Sequence, residues 1–127
     1  MQEKHLFEYA VIRVVPKVER EEFINTGIIL YCSTLKFLRA VYRLNPDRIR
    51  SLNPDLNIND LEKNLQAFVK ICEGTKDSGP IGQLDAPSRF RWLTAMRSTV
   101  LQTSKVHPGF CTDPLETITK LEKDLVL

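Results

Sequence analysis

Hydrophobic and polar positions alternate along the first third of the chain with the period of two that a pleated strand imposes. In "YAVIRVV" (residues 9–15) Ala10, Ile12 and Val14 share one face, Tyr9, Val11, Arg13 and Val15 share the other, and Pro16 ends the run. "PKVEREE" follows with residues that favour a helical turn over a sheet. "FINTGIILYC" (23–32) and "KFLRAVYRL" (36–44) read as second and third strands joined by a turn at Ser33-Thr34. Three neighbouring strands with short links predict an antiparallel meander. In the second strand Ile24, Thr26, Ile28, Leu30 and Cys32 are expected to form the core face, with Phe23, Asn25, Gly27, Ile29 and Tyr31 opposite. Arg13, Asn25, Arg39 and Arg43 then project from a second face that is expected to be only partly covered.

Beyond Asn45 the period lengthens to that of helices. "NPDRIRSLNPD" opens with an Asn cap and Pro at the first helical position, and a second Asn-Pro stops it. "NDLEKNLQAFVKICEG" (59–74) reads as a helix with Asn59 as cap, Glu62 as its capping-box partner and Gly74 at the end. Its apolar stripe is Leu61, Leu65, Phe68, Val69 and Cys72. "TKDSGPIGQLDAPS" is a loop by composition. "SRFRWLTAM" suits a short helix capped by Ser88, although its aromatics suit a strand as well. "RSTVLQTS" is half polar and reads as a fourth strand at an edge, "KVHPGFCTDP" as a turn-rich connection, and "DPLETITKLEKDLV" as a closing helix capped by Asp113. The order predicts one α+β domain over residues 1–127: a mostly antiparallel four-stranded sheet with helices packed on one face.

Composition narrows the class without naming an activity. A hydrophobic content of 43% and a charged content of 27% are those of a soluble globular domain. No apolar run approaches the roughly 20 residues of a membrane-spanning helix, and the start lacks the apolar core of a secretory signal. Cys32, Cys72 and Cys111 are an odd, widely spaced set without CxxC spacing, which points away from a disulfide framework or structural zinc. The expected compartment is the cytoplasm. The net charge of +2 hides an uneven distribution. Lys36, Arg39, Arg43, Arg48 and Arg50 face only Asp47 in their segment, and Arg89, Arg91, Arg97 and Lys105 lie in a stretch with no acid. If the two segments meet, they make an anion-attracting surface.

The common nucleotide, metalloprotease and nucleophile-elbow motifs are absent. His5 and His107 are the only histidines, and His107 sits in the bent "VHPGF", where it either ends a strand or serves as a proton carrier. Asn25 and Gly27 mark either a β-bulge or a gap that admits a ligand. "RFRWLTAMRSTVLQ" gathers Arg89, Arg91, Trp92 and Arg97 beside Ser98, Thr99 and Gln102. Arginine next to tryptophan suits phosphates, stacked bases or a protein contact, so this segment alone leaves the partner open.

Two blocks together resemble a small bacterial domain family of unknown function. The first is Tyr9, Arg13 and Pro16 followed by Arg20, Glu22, Phe23, Asn25, Gly27 and Leu30. The second runs from Arg89 to Thr94 and through Arg97 to Thr99, Gln102, Val106, His107, Gly109, Asp113 and Pro114. Met96 stands where that pattern has proline. The resemblance implies a neighbour, a HipA-like kinase-fold protein, and so a companion or regulator in a toxin–antitoxin or defence-like locus. The leading expectation is a cytosolic interaction module with Arg89, Arg91, Trp92 and Arg97 at the contact. The alternative is a protein acting on phosphate esters or nucleic acid, holding an anion with Arg13, Asn25, Arg97 and Gln102 and using His107 as proton carrier. Neither expectation calls for a metal or cofactor.

Overall fold

A computed structural model describes residues 3–97 and 99–127. In chain order the elements are β1 (His5–Val14), a 3₁₀ turn (Val18–Arg20), β2 (Ile24–Cys32), β3 (Phe37–Tyr42), α1 (Pro46–Leu52) and α2 (Ile58–Glu73). There follow α3 (Gly79–Gly82), α4 (Ala86–Leu93), β4 (Leu101–Thr103), β5 (His107–Cys111) and α5 (Pro114–Leu125). The α+β class and the antiparallel meander β1–β2–β3 hold, with all strand pairs antiparallel. The sheet has five strands, because "HPGFC" forms β5 instead of a turn-rich connection. Pro108 and Gly109 argue against a strand locally, but β5 is an edge strand whose missing donor is tolerated there.

β1 is the axis of the sheet. One edge pairs with β2, and the other pairs with β5 along its first half and β4 along its second. Between Tyr9↔His107 and Ile12↔Thr103 the outer segment carries one residue more than β1. Ser104 closes the mismatch: its Oγ accepts from Val11 N–H at 2.8 Å, and its own N–H donates to Val11 C=O at 2.8 Å. It is buried, so this pairing satisfies backbone groups that water does not reach.

A second irregularity lies on the other edge. Ile12 pairs with Gly27 and Arg13 with Asn25, so Thr26 is an extra residue of β2 with no counterpart on β1, its carbonyl accepting from Arg43 N–H at 2.7 Å, and the strand is bulged. The bulge changes which positions face which way. Ile24 belongs to the cluster under α1, α2 and α4, yet Ile28, Leu30 and Cys32 pack on the opposite face, beneath α5. Ile29 and Tyr31 join the α2 side. The single core face expected from even positions is thus corrected: the alternation shifts by one at Thr26, and both faces of β2 are buried.

Gly27 has a steric reason. A Cβ there would overlap the Val41 carbonyl oxygen and stand 2.9 Å from Tyr42 Cβ. The gap over Gly27 is therefore filled by β3, and Tyr42 passes over it to donate its hydroxyl to Glu62 on α2 at 2.9 Å.

Helices cover both faces, not one. α1, α2 and α4 bring Ile49, Leu61, Leu65, Phe68, Phe90 and Leu93 against Ala10, Ile12 and Val14. α5 brings Ile118 and Leu121 against Phe7, Val11, Ile28 and Leu30. Caps lie close to the expected places. Asn57 caps α2, accepting from Asp60 N–H, in place of Asn59, and Asp85 caps α4, accepting from Ser88 N–H, in place of Ser88. The segment 75–88 contains α3 and the first turn of α4. β3 and β4 sit at opposite edges of the sheet, so the two basic segments do not share one edge.

Gly27→Ala is expected to destabilise the fold by about 2 kcal/mol or more, since β3 must shift to admit a methyl group. Ser104→Ala leaves the buried Val11 N–H without its acceptor and should lower stability by about 1–3 kcal/mol. Urea unfolding with an unchanged slope measures both.

Candidate functional site: a groove between two helices

α4 starts at Pro-containing "DAPS" and turns Phe90 and Leu93 into the core, which leaves Arg91 and Trp92 pointing outward. Trp92 remains 42% exposed, unusual for the largest apolar side chain of the domain. Past the end of the helix, Arg97 folds back over it. Its guanidinium donates to Leu93 C=O at 3.2 Å and to Trp92 C=O, and lies 4.4 Å from the centre of the Trp92 ring. The cation adds donors to carbonyls of the last turn, at the helix end where positive charge is favoured. Burial pulls the Arg97 pKa below its ordinary value, yet an arginine so placed stays charged. Arg97 thereby covers one side of the Trp92 ring, and the tryptophan forms one wall of a groove.

The opposite wall is α2. Asn64, Ala67 and Ile71 flank the stripe that faces the sheet, and with Phe68, Leu93, Val100 and Leu101 they enclose a groove of about 460 Å³. Arg97 is the one charged residue among those lining it. On the other side of Ala67 and Ile71 lies a separate, smaller cleft of about 230 Å³ that Lys63, Lys70 and Asp77 border. Lys70 and Asp77 pair at 3.0 Å on the exposed surface. Hydrogen bonds from Thr75 first and Lys70 second hold the Asp77 carboxyl below the usual range.

The other expected contact residues serve different places. Arg89 turns toward the joint of α2 and α3, where it donates to Leu84 C=O at 2.6 Å. It lies against Gly74, whose left-handed backbone (φ 70°) ends α2, and a Cβ on Gly74 would stand 3.1 Å from its guanidinium carbon. The buried Cys72 thiol is pushed up to about 12 by burial, opposed in part by Arg89. Arg91 is exposed on the outer side of α4 and reaches only Ser88 Oγ, at 3.4 Å. Ser98 lies outside the described residues.

Arg13, Asn25 and Gln102 do come together, as register neighbours on three adjacent strands. They sit on the α5 side. Arg13 stacks on Phe23 with its guanidinium carbon 4.0 Å from the ring centre. Asn25 donates to Leu125 C=O at 3.2 Å and Gln102 to Thr99 C=O at 2.7 Å. Arg13 Nε and Asn25 Oδ1 are buried without a protein partner. Arg97 lines the groove on the other side of the sheet, with Leu93 and Phe68. His107 pairs with Tyr9, their rings 5.3 Å apart, four residues along β1 from Arg13 and so about 13 Å away. The anion-holding set with His107 as proton carrier is therefore not assembled in one place. Gly27 admits β3, not a ligand.

The α2 flank escaped the sequence reading. Its signal was present: Ala67 and Ile71 widen the apolar stripe by one position on one side, more than a sheet-facing helix needs. The Asn25–Leu125 contact has a measurable consequence. Asn25→Ala should speed amide exchange in the last turn of α5 about fivefold, with β1–β2 amides unchanged; equal acceleration in both would mean a global effect instead.

Among the described residues, no cluster of three or more His, Cys, Asp or Glu could hold a metal ion, and no helix is long and apolar enough to cross a membrane. No curated protein and no solved structure matches the sequence. The resemblance read from the two blocks is met by a family model covering residues 9–126, which takes in β1 beyond Tyr9, the groove and α5. The chain belongs to the family described as a protein of unknown function, DUF3037.

Proposed function

We propose that this domain is a protein-interaction module whose contact surface is the groove between α2 and α4. One observation carries the reading: the half-exposed Trp92, clamped by Arg97, beside an apolar groove that no segment of the described chain occupies. Tryptophan and arginine are the residues that most often dominate binding energy at protein contacts, and a side chain already held in place loses little freedom on binding. The partner we propose is a HipA-like kinase-fold protein, on the strength of the family resemblance, with the domain acting as its cytosolic companion or regulator in a toxin–antitoxin or defence-like locus. The reading as a phosphate-ester or nucleic-acid protein asks for Arg97 and His107 beside Arg13. They lie on another face and farther along the strand, which favours the interaction module.

Co-expression with the HipA-like neighbour should give a complex that survives size-exclusion chromatography. Trp92→Ala should weaken it at least tenfold, because truncating a central aromatic anchor commonly removes 2 kcal/mol or more. Arg13→Gln, on the far face of the sheet, should leave it unchanged. A complex indifferent to Trp92→Ala sinks the groove as the contact surface, and the absence of any complex sinks the partner.

A further inference from the structure

We infer that the groove receives an amphipathic helix of the partner, and that Arg97 reads an acidic side chain on that helix. The inference rests on the interaction-module reading and adds the shape and charge of what binds.

Shape comes from the walls. Asn64, Ala67 and Ile71 stand at positions i, i+3 and i+7 of α2, so the groove runs along the helix axis for about 10 Å, roughly two turns. Ala67 at the midpoint lacks the bulk that would hold another element away, and helix axes pack at about 8–10 Å when the facing side chains are small. Two sides are helices with their backbone groups already bonded internally, and on the third side Val15 N–H donates to the Val100 carbonyl and the Thr99 hydroxyl to that of Leu101. An extended segment laid between them would have to bury its own N–H and C=O groups against side chains, whereas a helix brings those groups already paired.

Charge comes from the rim. A guanidinium has five N–H donors, and Arg97 commits donors to two carbonyls of α4, which leaves capacity for a carboxylate. Among the described residues no acid lines the main groove, and Lys63 stands beyond Ala67 in the neighbouring cleft. Arg91 is exposed one position before Trp92. Asp77 is the single acid among the described residues lining the cleft and is already paired with Lys70. A neutral or basic helix would bury the Arg97 side without compensation, so the complementary occupant is acidic.

Trp92 is the sole tryptophan of the chain, so its emission reports on this groove alone. The probes are side-chain-stapled helical peptides of about 14 residues, long enough to hold the groove's two turns with the staple overcoming the weak helicity of short peptides. One carries Leu at i, i+3 and i+7 flanked by Glu, the second has Gln for every Glu, and the third Lys for every Glu. The Leu/Glu peptide should give a saturable blue shift. The Gln peptide should bind about tenfold more weakly, or 1.4 kcal/mol, and the Lys peptide weaker still. Ala67→Glu changes an exposed position without touching the core and should abolish the shift while circular dichroism stays that of the parent; Arg97→Lys should narrow the gap between Glu and Gln peptides. Equal binding of the Glu and Gln peptides overturns the acidic recognition. No shift with any helix, while the complex with the HipA-like protein still depends on Trp92, overturns the helical occupant and leaves the interaction surface standing. A complex indifferent to Trp92→Ala overturns the parent reading itself.

Discussion

β1 is paired on both edges and covered on both faces, so each of its backbone groups must find a partner inside the protein. The rest of the fold follows from meeting that demand with strands that do not match β1 in length or count. β2 carries one residue too many and discards it at Thr26. The outer edge also carries one too many, and Ser104 takes up the mismatch by lending its hydroxyl to the ladder. These two adjustments sit almost opposite each other on β1, at Val11 to Arg13. β1 itself stays regular, so its alternation presents Ala10, Ile12 and Val14 to three helices and Phe7 and Val11 to a fourth.

This arrangement also separates the polar residues by role. Arg13, Asn25 and Gln102 fall on the α5 side just below the bulge, where Asn25 fastens the end of α5 and Arg13 lies over Phe23. Arg97 and Arg89 each serve a helix end: one over the carbonyls of α4, the other against the terminal turn of α2. Arg13, Arg89 and Arg97, all candidate binding residues in the sequence, thus divide into two fasteners and a single groove-facing cation. Arg97 alone of these three lies beside the exposed Trp92, between α4 and the flank of α2.

Strand and helix periodicities were legible in the chain wherever one face was buried and the other wet. The meander, α2 and α5 were read within a few residues, because Leu61, Leu65, Phe68 and Cys72 keep a helical spacing and Ala10, Ile12 and Val14 a strand spacing. The sheet's second covering was not, because an apolar run such as "GIILYC" contains no polar residue to betray that its face has switched. Nor was β5, since His107, Pro108 and Gly109 have poor strand propensity and gain their conformation from pairing with β1. For the candidate site, Trp92 and Arg97 stood out by type. Their groove did not, because Ala67 and Ile71 acquire meaning only when α4 is placed beside them.

The bulge at Thr26 has a bearing on how the chain finds its alignment. Two long β-branched strands, apolar on both sides, can slide past each other by two residues with little change in what they bury. Gly27 removes that freedom, because it is the one place in β2 where the Val41–Tyr42 backbone can draw close. A slipped pairing would set a side chain against that carbonyl and leave the glycine facing empty space. The residue that first looked like a weakness in the strand therefore works as an index mark, locking three strands to one alignment and disfavouring the near-identical misalignments that compete during folding.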